Sequence, residues 1–201
     1  MLERFRPLLK RILEPIAKRI NINPNIITLI SPIIAIISAI FFAKGNLLLG
    51  GIFILIAGIF DVLDGAIARY HNRSSNFGAF LDSTMDRFSD AILIFGIILG
   101  GFINWIWGVL AIHSAFTVSY VRASAESKGI PCNIGIAERA VRLIILTIGA
   151  IIASFAGAIW IEIAIVVLVI LSYFTVIQRI YHVWRFSKNK SKNLNKHQEI
   201  L

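Results

Sequence analysis

The sequence predicts an all-α integral membrane protein, with six transmembrane helices preceded by an amphipathic interfacial helix. Three observations predict it. Of the 201 residues, 57% are hydrophobic, and the mean hydropathy of +0.80 is far above that of a soluble domain. The apolar residues gather in six segments, each near the ~20 residues that cross a bilayer. The 20 Lys and Arg residues then fall on one side of that membrane, Lys44 excepted. The net charge of +9 is expected to meet anionic headgroups and not nucleic acid. The single cysteine, Cys132, excludes an internal disulfide.

Residues 1–20, MLERFRPLLKRILEPIAKRI, place Leu2, Phe5, Leu8, Leu9, Ile12, Ile16 and Ile20 on one helical face. Arg4, Lys10, Arg11, Lys18 and Arg19 fall mostly elsewhere, the pattern of a helix lying in the interface. No cleavable signal peptide is expected, because this stretch is too basic and no separate apolar core with a cleavage site follows. Asn23-Pro24-Asn25 punctuates the chain and starts the first span. The spans are expected at 25–43, 47–70, 78–100, 105–127, 137–156 and 159–184. All basic residues but Lys44 lie on the two tails, the second and fourth connections, or the adjoining parts of the helices. With six spans these positions share one side, which the positive-inside rule makes cytoplasmic. The chain divides into a juxtamembrane helix (1–22), a six-span domain (23–186) and a polar cytoplasmic tail without regular structure (187–201).

Acidic residues inside two of these spans carry the chemistry. They form the pattern Asp61-x2-Asp64-Gly65-x2-Ala68-Arg69-x8-Gly78-x3-Asp82-x3-Asp86, with Asp90 one turn further. Even on lenient scales an ionised carboxylate at the centre of a membrane helix costs roughly 2.5–3.5 kcal/mol. Asp61 and Asp64 share one face of the second span, and Asp82 and Asp86 one face of the third. The two spans run antiparallel through a short connection, so both pairs reach a similar depth, roughly 7–15 Å below the interface. Interhelical ion pairing accounts poorly for the cluster, since only Arg69 and Arg87 lie near it in sequence. Divalent metal held by oxygen ligands, Mg²⁺ or Mn²⁺, accounts for it better. The rival class is an ion-coupled transporter, whose acids would continue across the membrane. Here the outer halves are nearly pure Ile, Leu, Phe and Ala, with Glu162 the ionisable exception. Gly65 and Gly78 fit either helix packing or the close approach of a diphosphate, and Arg69 either snorkels or grips a phosphate.

The stretch from Asp61 to Asp86 resembles the signature of the CDP-alcohol phosphotransferase family, matched without a gap. An intramembrane prenyltransferase, which also binds diphosphate through aspartates, lacks the Asp-Gly-x2-Ala-Arg continuation. The resemblance implies six spans after an interfacial helix, a homodimer, and two divalent cations, Mg²⁺ or Mn²⁺. It implies that Asp61, Asp64 and Asp82 bind the cations, with Asp86 near the second. Asp64, Gly65, Arg69, Gly78 and Asp82 would form the site of a CDP-linked lipid, CDP-diacylglycerol or CDP-archaeol. Asp86 would be the general base that activates the acceptor alcohol, with CMP expelled.

A second cluster bears on the acceptor. Ser119-Tyr120-Val121-Arg122-Ala123-Ser124-Ala125-Glu126, Glu138-Arg139-Ala140-Val141-Arg142-Leu143 and Gln178-Arg179-x4-Trp184 lie near the cytoplasmic ends of spans four, five and six. Such arginines either anchor helices at the inner surface or converge on an anion. The stretches resemble the branch of the family that joins inositol 1-phosphate to phosphatidyl or archaetidyl lipid. On that resemblance Arg122, Arg139, Arg142 and Arg179 hold the acceptor's phosphate. Ser124 stands where the branch has Arg, which leaves glycerol 3-phosphate as the alternative acceptor.

Overall fold

The structure, a computed structural model, describes residue 13 and residues 15–198, with side chains through residue 189. The expected amphipathic helix over 1–22 therefore lies largely outside the described residues, of which 15–19 are helical. Six longer helices follow: α1 (Pro24–Ala43), α2 (Leu47–Tyr70), α3 (Asn76–Leu99), α4 (Trp105–Glu126), α5 (Arg139–Ala156) and α6 (Ile159–Gln198). No strand occurs among the described residues.

Polar residues at the segment breaks start these helices. Asn23 accepts from the Asn25 amide at 3.0 Å, Asn46 from Leu49 at 3.0 Å, Ser75 from Gly78 at 3.0 Å and Asn104 from Ile106 at 2.9 Å. Each satisfies an amide that the first helical turn leaves without a partner. Gly157, at φ 104°, closes α5 in a conformation that suits glycine. The end of α6 corrects the expectation of an irregular tail from 187. The helix runs on to Gln198 because no Gly or Pro follows Gly157, and Lys and Gln are sound helix formers.

Among the described residues, four helices are long and apolar enough to cross a membrane: α1, α2, α5 and the Ile159–Asn189 part of α6. α3 and α4, of 24 and 22 residues, have spanning length, but α3 carries Asp82, Asp86, Arg87 and Asp90. Ile33, Leu55, Phe95, Val109, Ile148 and Ile170, one from each helix, are exposed on the outer surface. A bundle that is apolar outside as well as inside has lipid as its solvent.

Helix contacts run in a closed ring, α1 to α2, α5, α6, α4, α3 and back to α1. Small residues bring the backbones together, as membrane helices require. A Cβ at Gly96 would stand 2.5 Å from the Ala39 Cα, and one at Gly149 would stand 2.4 Å from the Ala164 Cβ. The two ends of the ring differ. Phe42, Leu47, Ile97, Ile103, Ala153 and Ile161 fill one end with hydrocarbon. At the other end meet the starts of α1, α3 and α5 and the last turns of α2 and α4, and here the acidic and basic residues collect. The His71 ring ties residues 15–19 to this polar end, with Nε2 at 3.1 Å from the Ala17 carbonyl and 3.2 Å from that of Ile20.

Candidate active site

The helical hairpin of α2 and α3 assembles the acidic centre. Oxygens of Asp61, Asp82 and Asp86 lie within 4.8 Å of one another. The donor set is oxygen only, at a spacing that one or more hard cations can bridge, so it suits Mg²⁺ or Mn²⁺ and not zinc. Asp64 is buried and turned toward α1, where Thr28 Oγ1 donates to its Oδ2 at 2.6 Å. Thr28 is a site residue that the sequence reading missed; a hydroxyl one turn after Pro24, on a helix that also carries Ser31 and Ser38, was the available but weak signal.

Beside the carboxylates an open groove of about 160 Å³ runs between α1, α2 and α3. Asp64 and Asp82 form its inner end, Gly65, Arg69 and Gly78 its walls, and Asn25 its outer rim. The glycines keep it open. A Cβ at Gly78 would meet Asn25 Oδ1 and Ser75 Oγ at 3.2 Å, and one at Gly65 would meet Arg69 Nη1 at 3.2 Å. The structure thus brings all five residues expected to line a nucleotide-lipid site to one groove; two of them, Asp64 and Asp82, are also expected metal ligands, and Asp82 clusters with the other two, Asp61 and Asp86.

The four arginines do not form one open cluster. Arg139, the first residue of α5, enters the acidic centre: its Nη1 is 2.5 Å from Asp61 Oδ1 and 2.8 Å from Asp86 Oδ1. Arg142 is buried and donates to Asp90 Oδ2 at 2.5 Å and to the Ala137 carbonyl at 3.0 Å. Asp90, singled out in the sequence only as an extra carboxylate, is therefore the partner of an arginine. Arg179 donates to the Ile134 carbonyl at 2.8 Å and the Val118 carbonyl at 2.5 Å. Arg122, exposed, donates to Glu126 Oε1 at 2.8 Å and Asn133 Oδ1 at 2.9 Å. These last two strap the 127–138 connection, with Thr175 Oγ1 accepting from Ile136 and Ala137 at 3.2 and 2.9 Å. Ser124, which stands where an arginine was expected, accepts from the exposed Lys128 Nζ at 3.0 Å.

A ring of apolar helices around a carboxylate centre and a polar groove defines a membrane-embedded protein with a site for charged ligands. Residues 21–184 match the CDP-alcohol phosphatidyltransferase family, and the chain belongs to that family and is a transferase. It is 47% identical, over 92% of its length and 95% of the relative's, to archaetidylinositol phosphate synthase of Methanothermobacter thermautotrophicus. Its fold is similar to the crystal structure of Mycobacterium tuberculosis phosphatidylinositol phosphate synthase with CDP-DAG bound. That likeness has a TM-score of 0.77 at 30% identity and covers 87% of this chain and 94% of the other. The same mycobacterial enzyme in complex with manganese and citrate gives a TM-score of 0.76 at 29% identity, with 86% and 88% covered.

Proposed function

We propose that this protein transfers the phosphatidyl-type group of a CDP-linked lipid, CDP-archaeol or CDP-diacylglycerol, to inositol 1-phosphate and releases CMP. The observation that carries the proposal is the groove that ends at Asp64 and Asp82 and opens beside Asp61 and Asp86. A diphosphate in that groove lies against the carboxylates, with its nucleoside toward Gly65, Arg69 and Gly78. Asp61, Asp64, Asp82 and Asp86 would hold two divalent cations, Mg²⁺ or Mn²⁺, which would supply positive charge against the diphosphate and the departing CMP. Asp86 takes the proton of the acceptor hydroxyl as that oxygen attacks the lipid-side phosphorus. Arg139, Arg142, Arg179 and Arg122 lie on the acceptor side, where several guanidinium groups suit a dianionic phosphate. The likeness to relatives named archaetidylinositol phosphate synthase and phosphatidylinositol phosphate synthase supports inositol 1-phosphate over glycerol 3-phosphate as the acceptor. The test is CMP release by purified protein with a CDP-lipid and Mg²⁺ or Mn²⁺, scanned over inositol 1-phosphate, glycerol 3-phosphate, inositol and serine. Preference for an acceptor without phosphate would sink the assignment.

In the same reading all six helices span the cell membrane, the enzyme is a homodimer, and both termini and the site face the cytoplasm. The helix lengths and the basic residues at the polar end support this orientation. With Cys132 replaced, a cysteine at position 45 is expected to react with an impermeant thiol reagent in intact cells, and one at position 74 to stay protected. Reversed labelling overturns the topology.

A further inference from the structure

Arg139 occupies ground that the proposed metals need. Its Nη1 lies 2.5 Å from Asp61 Oδ1 and 2.8 Å from Asp86 Oδ1. A divalent ion bridging those oxygens would sit about 2.0–2.1 Å from each for Mg²⁺, so ion and guanidinium exclude one another. The hold on Arg139 is also of a particular kind. Its Nε and Nη1 are buried, yet neither finds an acceptor in hydrogen-bond geometry. Charge and proximity to Asp61, to Asp86 and to Asp90, whose Oδ1 lies 3.5 Å from Nε, keep the group there without directed bonds. Arg142, one turn on, contrasts with it: directed bonds to Asp90 and to the Ala137 carbonyl fix that guanidinium. Arg139 also begins α5, directly after the 127–138 connection that Arg122 and Arg179 strap.

We infer that Arg139 is an internal counter-cation that competes with divalent metal. It neutralises Asp61 and Asp86, is expelled when metal binds, and then offers its fork to the phosphate of the acceptor. Metal loading and acceptor binding are thereby coupled, each favouring the other. This rests on the reading above that Asp61 and Asp86 are metal ligands.

The test measures Mn²⁺ affinity directly, from the free-ion electron paramagnetic resonance signal, on the purified full-length protein without donor lipid. Arg139→Gln is expected to bind Mn²⁺ about tenfold more tightly than the parent, within the usual range of coupling between sites. Arg87→Gln removes a nearby charge that touches neither Asp61 nor Asp86, and is expected to gain less than about threefold. Inositol 1-phosphate should tighten Mn²⁺ about fivefold in the parent and leave Arg139→Gln unmoved. If Arg139→Gln does not fold, Arg139→Lys replaces it, with a gain of about threefold and the phosphate coupling lost. Asp61→Asn and Asp86→Asn should weaken Mn²⁺ binding. If they do so while the Arg139 variant gains nothing, or gains no more than Arg87→Gln, the counter-cation is overturned and the metal site stands. An equal response of parent and variant to inositol 1-phosphate also overturns it. If the aspartate variants leave Mn²⁺ binding unchanged, the metal reading falls and this inference falls with it.

Discussion

The donor half of the site and the arginine half are built in opposite ways. The donor half comes from one helical hairpin, Asp61 to Asp86, with Asn25 and Thr28 of α1 closing the groove. Its carboxylates crowd together, with Thr28 bonded to Asp64 and Arg139 beside Asp61 and Asp86. The arginine half is drawn from α4, α5 and α6, and there the protein itself engages the charges: Arg142 with Asp90, Arg179 with two carbonyls, Arg122 with Glu126 and Asn133. A basic residue near a site thus does two kinds of work, and its partners reveal which. Carboxylates that outnumber the one guanidinium among them call for a further cation. An arginine already bonded to the backbone first holds the wall of the site in place.

The largest effect that sharpens this contrast is expected at Asp86. Asp86→Asn should lower turnover by about 10²–10⁴-fold while CDP-lipid binding stays nearly intact, because a general base acts in the transition state. Single-turnover CMP release and a direct lipid-binding measurement separate the two. Full activity in this variant breaks the assignment of the donor half.

Next comes the buried pair of Asp90 and Arg142, whose removal tests whether the arginine half is structural. Asp90→Asn leaves the Arg142 charge buried without its partner and should cost about 3–5 kcal/mol of stability. Thermal unfolding in detergent reads this, and the joint replacement Asp90→Leu with Arg142→Met should regain most of the loss. Were Arg142→Gln to keep its stability and lose only acceptor affinity, Arg142 would belong with the ligand and not with the wall.

A smaller effect is expected at Gly78. Gly78→Ala crowds Asn25 Oδ1 and Ser75 Oγ at 3.2 Å, an overpacking of about 1–3 kcal/mol. It should appear as a raised KM for the CDP-lipid with the acceptor KM unmoved. An equal rise in both would mean that the groove is shared between the two substrates.

The smallest effect should be at Arg122, exposed and paired with Glu126 at i,i+4. Arg122→Gln should shift stability by no more than about 1 kcal/mol. A strong rise in acceptor KM in this variant would show that the strap opens to engage substrate, and would narrow the contrast between the halves.

Much of this was legible before the fold. All six helices begin within about two residues of the apolar segments and all but α6, which runs on to Gln198, end within about two residues of them, since apolar runs of this length favour long helices in a membrane. The carboxylate centre was legible too. Asp61, Asp82 and Asp86 sit on two adjacent helices joined by a short turn, so helical periodicity alone carries them to one place. What the sequence by itself determined is therefore the local and periodic part: spans, caps, the acidic hairpin and the glycines beside it.

Tertiary structure decided what depends on partners far apart in the chain. Thr28 meets Asp64 only because α1 packs on α2, and Asp90 finds Arg142 only because the ring of helices closes. The four arginines looked equivalent as a pattern, yet three are tied to walls of the protein and one stands among the carboxylates. The physical reason is range. Periodicity orders neighbours along one helix, whereas the cost of burying a charge is settled by whichever groups the packing brings within a few ångström.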